Sequence, residues 1–276
     1  AVFIVFAGAF VAGFGYFDEI HDIDEAVDGG SAAVADGVNP YSEPVVPRFK
    51  EKYDENTSWT MGTYNYLPLD LLVYSGARYL LGDLGSPLWF VVTNLAFSGI
   101  ALYLLQGLLR IKWLSYVPFA GIVMLFYSFD NASLTLLLMI SSVYAWKRFS
   151  RAPEPTGIVI MALAALTKVY AVIPLAVMVL FELQRVVAEG DRKRAFWTLG
   201  AVAAGTCIAL ALIVPFGTGD VLDSAVFFHT SEDARVGTSY GGTLLAEVAL
   251  DSDYFTYMAL GAVALALLAS MWLPNM

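Results

Sequence analysis

The sequence predicts an all-α polytopic membrane protein with about eight transmembrane or re-entrant helices. Three observations carry this. Of 276 residues, 58% are hydrophobic and only 14% are charged, against about 25% charged in an ordinary soluble domain. The mean hydropathy is +0.67. Several uninterrupted apolar runs reach or approach the ~20 residues that span a bilayer as a helix. A soluble chain of this size could not hide so much apolar side chain in one core. Soluble enzymes, nucleic-acid binders and disulfide scaffolds are therefore excluded. The single cysteine, Cys207, lies inside an apolar run and leaves no internal disulfide.

The runs fall at 1–17, 66–82, 87–109, 113–129, 131–146, 156–181, 195–217 and 254–274. Each reads as a helix, because a spanning segment must satisfy its own backbone groups. The first has no basic region ahead of it and no small-residue cleavage site behind it, so it reads as a membrane helix rather than a signal peptide. The whole of 1–276 forms one transmembrane domain, interrupted by polar stretches at 18–65 and 218–253. Within the first, Ala26 to Ala35 has the composition of a short helix on the membrane face, and Asn39-Pro40-Tyr41 is a turn. Pro44 and Pro47 keep the chain extended, and Trp59 to Tyr66 re-enter at the interface, where Trp and Tyr prefer to sit.

The net charge is −10 and the isoelectric point near 4.6, the wrong sign for a nucleic-acid partner. Asp18, Glu19, Asp22, Asp24, Glu25, Asp28 and Asp36 crowd the first polar loop, and Asp220, Asp223, Glu232, Asp233, Glu247, Asp251 and Asp253 the second. Their plain reading is a solvated acidic surface of a salt-adapted organism, such as a halophilic archaeon. Basic residues cluster at Arg110/Lys112, at Lys147/Arg148/Arg151 and at Arg185/Arg192/Lys193/Arg194. The last two clusters flank 156–181, so a single crossing cannot put both in the cytoplasm as the positive-inside tendency prefers. Every cluster lies inside if 156–181 is a re-entrant pair of half-helices and 66–82 does not cross. If all eight runs cross simply, only the last cluster does. Both schemes put the acidic loops on the extracytoplasmic face.

Ionisable residues within the apolar runs are functional candidates, since an unpaired charge at mid-bilayer costs roughly 2.5–3.5 kcal/mol. They are Asp70, Arg78 and Lys168. Lys168 can hold a phosphate, pair with a carboxylate or snorkel to the interface. Asp70 and Arg78 read as partners of neighbouring helices. A carboxylate just outside a membrane helix is placed to act as general base on a sugar or lipid hydroxyl; Asp18, Glu19 and Asp24 are the candidates. With two histidines and no HExxH spacing, no metal site is expected. No P-loop, GxSxG or GxGxxG occurs. Sequons stand at Asn56-Thr57-Ser58 and Asn131-Ala132-Ser133, the first in a polar loop open to modification.

An acidic loop after the first helix, with Asp24 thirteen residues before Gly37-Val38-Asn39-Pro40-Tyr41 and then Tyr64-Asn65-Tyr66-Leu67-Pro68-Leu69, resembles the opening of GT-C fold polyprenyl-phosphate-sugar-dependent glycosyltransferases of the mannosyltransferase-like group. Asp130-Asn131, Lys168 and Arg235 to Ser239 resemble that family's Gly-Gln-x-Asn, Lys-Pro-x-Pro and Arg…Asn-x-Ser stretches. The likeness covers roughly residues 1–250. Leu67 replaces the first proline of Tyr-Pro-Pro, Asp130 replaces the glutamine, and Val169 follows the lysine. The chain also has fewer helices than such enzymes usually have, as a truncated C-terminus would give.

The resemblance implies inverting transfer of a hexose, mannose favoured, from a polyprenyl-phosphate donor to a lipid or glycan acceptor, without metal or cofactor. Asp24 would be the base, with Asp22 and Asp28 as fall-backs. Lys168, His229 and Arg235, with Arg48 behind them, would face the departing lipid phosphate as charge develops on it. Tyr41, Trp59 and Tyr66 would stack on sugar faces, or serve only as interfacial anchors. The competing readings are a membrane transporter with Asp70, Arg78 and Lys168 along its path, and a non-catalytic membrane scaffold subunit. Against the transporter, no inverted repeat is visible.

Overall fold

A computed structural model describes residues 22–42, 45, 64, 66–85, 88–109, 132–148 and 155–227. Among these the regular structure is helical: α1 (Asp22–Ala35), α2 (Pro68–Leu81), α3 (Leu88–Leu109), α4 (Ala132–Arg148), α5 (Pro155–Ala165), α6 (Val172–Glu189), α7 (Arg192–Ile213) and the short α8 (Thr218–Leu222). Tight 3-10 turns at Gly82–Leu84, Val169–Ala171 and Val214–Phe216 join or extend them. The expected helices over 1–17, 113–129 and 254–274 lie outside the described residues.

Among the described residues, three helical stretches are long and apolar enough to cross a membrane: Leu88–Leu108, Val169–Glu189 and Arg192–Phe216. At 1.5 Å per residue, the 22 residues of α3 extend about 33 Å, the thickness of a hydrocarbon core. The 11 residues of α5 extend only about 16 Å.

Side-chain contacts fix the direction of each helix. Ser133 at the start of α4 donates to Asn94 near the start of α3, and Tyr144 near the end of α4 packs over Gly107 near the end of α3. These two helices run in parallel. α5 runs back along α4, with the Gly157 carbonyl accepting from Ser142 Oγ at 2.6 Å and Thr167 meeting Thr135 at 2.8 Å. α6 turns back again, bringing Met178 to Ser142 and Glu182 to Trp146.

The apolar run 156–181 is therefore an up-and-down pair of helices. Pro174 sets the start of the second member. In a first turn its missing N–H is no loss, but in a helix continued upstream its ring would meet the Tyr170 carbonyl. Between the two helices Lys168 is extended, with φ −142° and ψ 135°. The exposed backbone is satisfied from both sides: Thr167 Oγ1 donates to the Ala164 carbonyl at 2.6 Å, and the Leu166 carbonyl accepts the Leu69 amide of α2 at 3.2 Å.

α6 and α7 form a hairpin with a chemically specified corner. Gly190 takes the left-handed conformation, φ 65°, that usually ends a helix. Asp191 then caps α7 by accepting from the Lys193 and Arg194 amides at 2.9 and 3.1 Å. Above the corner, buried Glu182 accepts from Arg194 Nε at 2.7 Å and from Trp146 Nε1 at 2.8 Å, so α4, α6 and α7 are tied at one end. Removing one partner of such a buried pair costs about 3–5 kcal/mol.

α2 lies across the opposite end. From its first residue to its last it meets Leu166 after α5, then Asn94 and Ser133 at the starts of α3 and α4, then Trp89 through Asp28. α1 lies on α2: Gly30 is in van der Waals contact with the Tyr64 ring and Leu71, leaving no room for a Cβ. The doubling back of 156–181 and the crosswise course of α2 are features of the first scheme, but the second member of the pair is not a half-helix, since Val169–Glu189 is long enough to span. Lys147, Arg148, Arg185 and Arg192 to Arg194 belong to one end of the bundle, and the cap of α1 and α2 to the other.

Close approach of α7 to α5 depends on Gly205, where a Cβ would come within 2.8 Å of the Ala162 Cβ, whereas Gly200 on the same helix faces open space. Gly205→Val is expected to destabilise by about 1–3 kcal/mol through overpacking, and Gly200→Ala to be tolerated, as read from unfolding midpoints in mixed micelles.

Candidate functional site at a broken helix pair

The turn Asn39-Pro40-Tyr41 is built by its own side chains. Asn39 Oδ1 accepts the Tyr41 amide at 3.1 Å, the closed ring that makes Asn a turn former. Its Nδ2 reaches the Phe216 carbonyl at 2.8 Å, locking the loop after α1 to the far end of α7. Ser224 adds a bond to the Tyr41 carbonyl at 3.1 Å.

Tyr41 is 2% exposed. Its ring meets Tyr64 and Phe216 edge to face, with centroids 5.7 and 5.4 Å away, and its hydroxyl donates to the Tyr66 carbonyl at 2.8 Å. Tyr64, fully buried, packs on Tyr66 at 5.5 Å and donates to Asp70 Oδ2 at 2.7 Å. Tyr66 in turn lies beneath Lys168, whose Nζ is 5.0 Å from the ring centroid, a cation–π distance. The broken helix pair thus presents its one lysine to an aromatic cap drawn from three separate stretches of chain.

Burial dominates the electrostatics of this cap. It pushes the Tyr64 phenol well above its ordinary value, and nearby Asp70 adds to the shift. Burial and then Asp70 raise Tyr41 in the same way. Both phenols are held neutral, which suits Tyr64 as a donor to a buried carboxylate. Lys168 stands one residue before the Val169–Ala171 turn that opens α6. Helix N-termini expose unpaired N–H groups and a positive dipole end, so lysine and helix start together favour an anion.

No family model matches this chain, and neither does any curated protein or solved structure. The assignment of a site therefore rests on geometry alone.

The structure brings together Tyr41, Tyr66 and Lys168. It places Asp28 elsewhere, near the opposite end of α2, where its Oδ1 accepts from Arg78 Nε at 2.7 Å and Trp89 Nε1 at 3.2 Å. Ten residues of α2, about 15 Å of helix axis, separate Arg78 from Pro68 beside Tyr66. Asp28 is thus engaged as the partner of Arg78, and Tyr41 as a packing residue whose ring edges and hydroxyl are occupied. Asp22 and Asp24 lie in the first turn of α1, with side chains outside the described residues. Arg48, Trp59, His229 and Arg235 also lie outside them.

Sequence reasoning gave no role to Phe216, Thr135 and Thr167, quoted Tyr64 only as part of a motif, and took Asp70 as a helix partner or as part of a transport path. For Asp70 a signal existed: it stands in the first turn of a helix opened by Pro68, where a carboxylate is favoured. A second polar cluster, also unforeseen, lies one layer away. Asn94 Oδ1 accepts from the Tyr74 and Ser133 hydroxyls, and both Asn94 Nδ2 and Ser98 Oγ are buried with no hydrogen-bond partner among the described residues.

Replacing Tyr64 by Phe leaves the buried Asp70 oxygen without its phenol donor, and a loss of about 1–3 kcal/mol is expected. The conservative change Tyr79→Phe, at a 90% exposed ring, should be neutral. A phenol whose pKa is raised in the fold stabilises fully below the unfolded value of about 10 and loses that contribution as pH rises beyond it. Stability measured from pH 8 upward is therefore expected to fall above about pH 10, and less steeply in Tyr64→Phe.

Proposed function

We propose that this chain is a membrane glycosyltransferase of the GT-C type. It moves a hexose, mannose favoured, from a polyprenyl-phosphate donor to a lipid or glycan acceptor on the extracytoplasmic face. The observation that carries this reading is the interrupted helix pair, which delivers Lys168 and the start of α6 to Tyr66 at the end of the bundle opposite the basic residues of the α6–α7 corner. By the positive-inside tendency the corner faces the cytoplasm and the cap faces outward.

In this reading the acceptor hydroxyl attacks the anomeric carbon and gives its proton to the Asp24 carboxylate. The bond from that carbon to the donor phosphate breaks, and the electron pair leaves on the polyprenyl phosphate. Lys168 and the first amides of α6 meet the growing negative charge; stabilisation of this kind is often the largest single contribution to catalysis. Tyr66 and Trp59 offer flat faces to the sugar, and His229, Arg235 and Arg48 are further cations for the phosphate. The polyprenyl tail runs in the bilayer along the exposed apolar faces of α6 and α7, where Val187, Leu210 and Val214 are exposed.

A transporter is the second reading. Helix N-termini next to non-helical backbone form substrate sites in many transporters, and Lys168 with the start of α6 offers such an end.

A transfer assay in native-like membranes at high salt separates the two, using labelled polyprenyl-phosphate mannose and glucose with a total lipid and glycan extract. Asp24→Asn is expected to lower transfer by roughly 10²–10⁴-fold, and Lys168→Gln by roughly 10²–10³-fold, each with the unfolding midpoint retained. Transfer undiminished in Asp24→Asn removes the assigned base. No transfer by the folded, unmutated chain favours the transporter or a scaffold.

A further inference from the structure

We propose that the outward face of α2 and the turn after it is a membrane-interface surface, with Tyr79, Leu80 and Leu84 seated among lipid headgroups and the upper acyl chains beside α3. This inference rests on the membrane character of α3 and is independent of the transfer reaction.

α2 is apolar on two sides. Its inner side buries Leu71 and Tyr74 in the cap core. Its outer side exposes Leu72, Tyr79, Leu80 and Leu84, with Tyr79 at 90% and Leu80 at 77%. Leu72, Tyr79 and Leu80 stand seven and eight residues apart, two helical turns, and so share one side of α2, with Leu84 following in the turn after it. Exposed apolar residues standing singly need no explanation, but a contiguous set marks a contact surface.

Geometry specifies what that surface meets. Arg78, immediately before Tyr79, shares the Asp28 carboxylate with Trp89. Trp89 is the second residue of α3, so the end of α2 is pinned level with the first turn of a membrane-spanning helix. Leu84 follows in the Gly82–Leu84 turn, four residues ahead of α3. Chain at that depth stands at the boundary between hydrocarbon and headgroups.

The chemistry agrees. Arg78 is turned onto Asp28, so the outward stripe carries no cation to recruit an acidic partner. A tyrosine with its ring in apolar surroundings and its hydroxyl in the wet layer is the usual occupant of an interface. Below it, α3 exposes Ile100 and Tyr103, which continues an apolar exterior along the same helix. Amphipathic helices seated this way sink about 5–10 Å below the headgroup boundary. An α2 so embedded holds Lys168 and Tyr66 at bilayer depth, within reach of a lipid substrate.

Cys207, the only cysteine, makes the test direct. In a Cys207→Ser background, Tyr79→Cys, Leu80→Cys and Leu84→Cys are each spin-labelled and reconstituted in liposomes. Tyr103→Cys serves as the lipid reference and Asp36→Cys, at an exposed position after α1, as the aqueous one. The expected result is a shift of the oxygen-to-nickel-complex collision ratio away from Asp36→Cys and towards Tyr103→Cys, at a shallower depth. A ratio equal to that of Asp36→Cys shows a water-facing surface and overturns the proposal. Shielding from both reagents shows that protein covers the stripe and overturns it equally. Each of the three positions reports separately, and only protein eluting as a single species is read.

Discussion

The interruption between α5 and α6 is the constraint on which the rest depends. Extended backbone inside a membrane bundle is tolerated only where other groups complete its hydrogen bonds. Here Leu69 donates to the Leu166 carbonyl, and Thr167 closes onto Ala164 while meeting Thr135 of α4. The same bonds that make the break affordable draw α2 onto the bundle. With α2 in place, Tyr64, Tyr66 and Tyr41 have a floor to pack on, and Lys168 is set against an aromatic ring instead of lipid.

The two ends of the molecule are held by different physics. At the corner between α6 and α7 a buried carboxylate, Glu182, gathers Arg194 and Trp146, and the charges there answer one another. At the capped end the contacts are aromatic edges, neutral phenols and short turns, and the charged groups that take part in them are Asp70, the Asp28–Arg78 pair and Lys168. A corner closed by complementary charge is suited to holding helices in register. A cap of neutral phenols with a lysine at a helix start is suited to receiving an anion. This division of labour makes the capped end the functional candidate without reference to any relative.

Much of this was legible in the chain. The helix that carries Trp146 followed from hydropathy, whereas Glu182 stands just beyond the run 156–181, whose second helix continues to Glu189. The turn at Asn39-Pro40-Tyr41 and the short helix before it could be read because Asn and Pro act locally. The oddity of Lys168 was plain from its apolar surroundings. What could not be read was the company of each residue. Asp28 was weighed as a base, but it meets Arg78 across fifty residues of sequence, and Arg78 had been read only as the partner of some neighbouring helix. Tyr41 was weighed as a sugar platform, but Phe216 and Tyr64, both distant in sequence, cover its edges.

The sequence by itself determined the membrane character of the chain, the described helices near 66–82, 87–109, 131–146 and 195–217, the turn before the cap and the presence of a lone lysine within an apolar run. These depend on composition, on periodic burial and on local backbone preferences, all written within a window of some twenty residues. Only the tertiary structure decided that 156–181 doubles back, that α2 lies across the bundle, and which carboxylate belongs to which cation. The half-helix scheme and the simple crossing have the same hydropathy. They differ only in whether a distant amide, that of Leu69, is on hand to donate to the exposed Leu166 carbonyl.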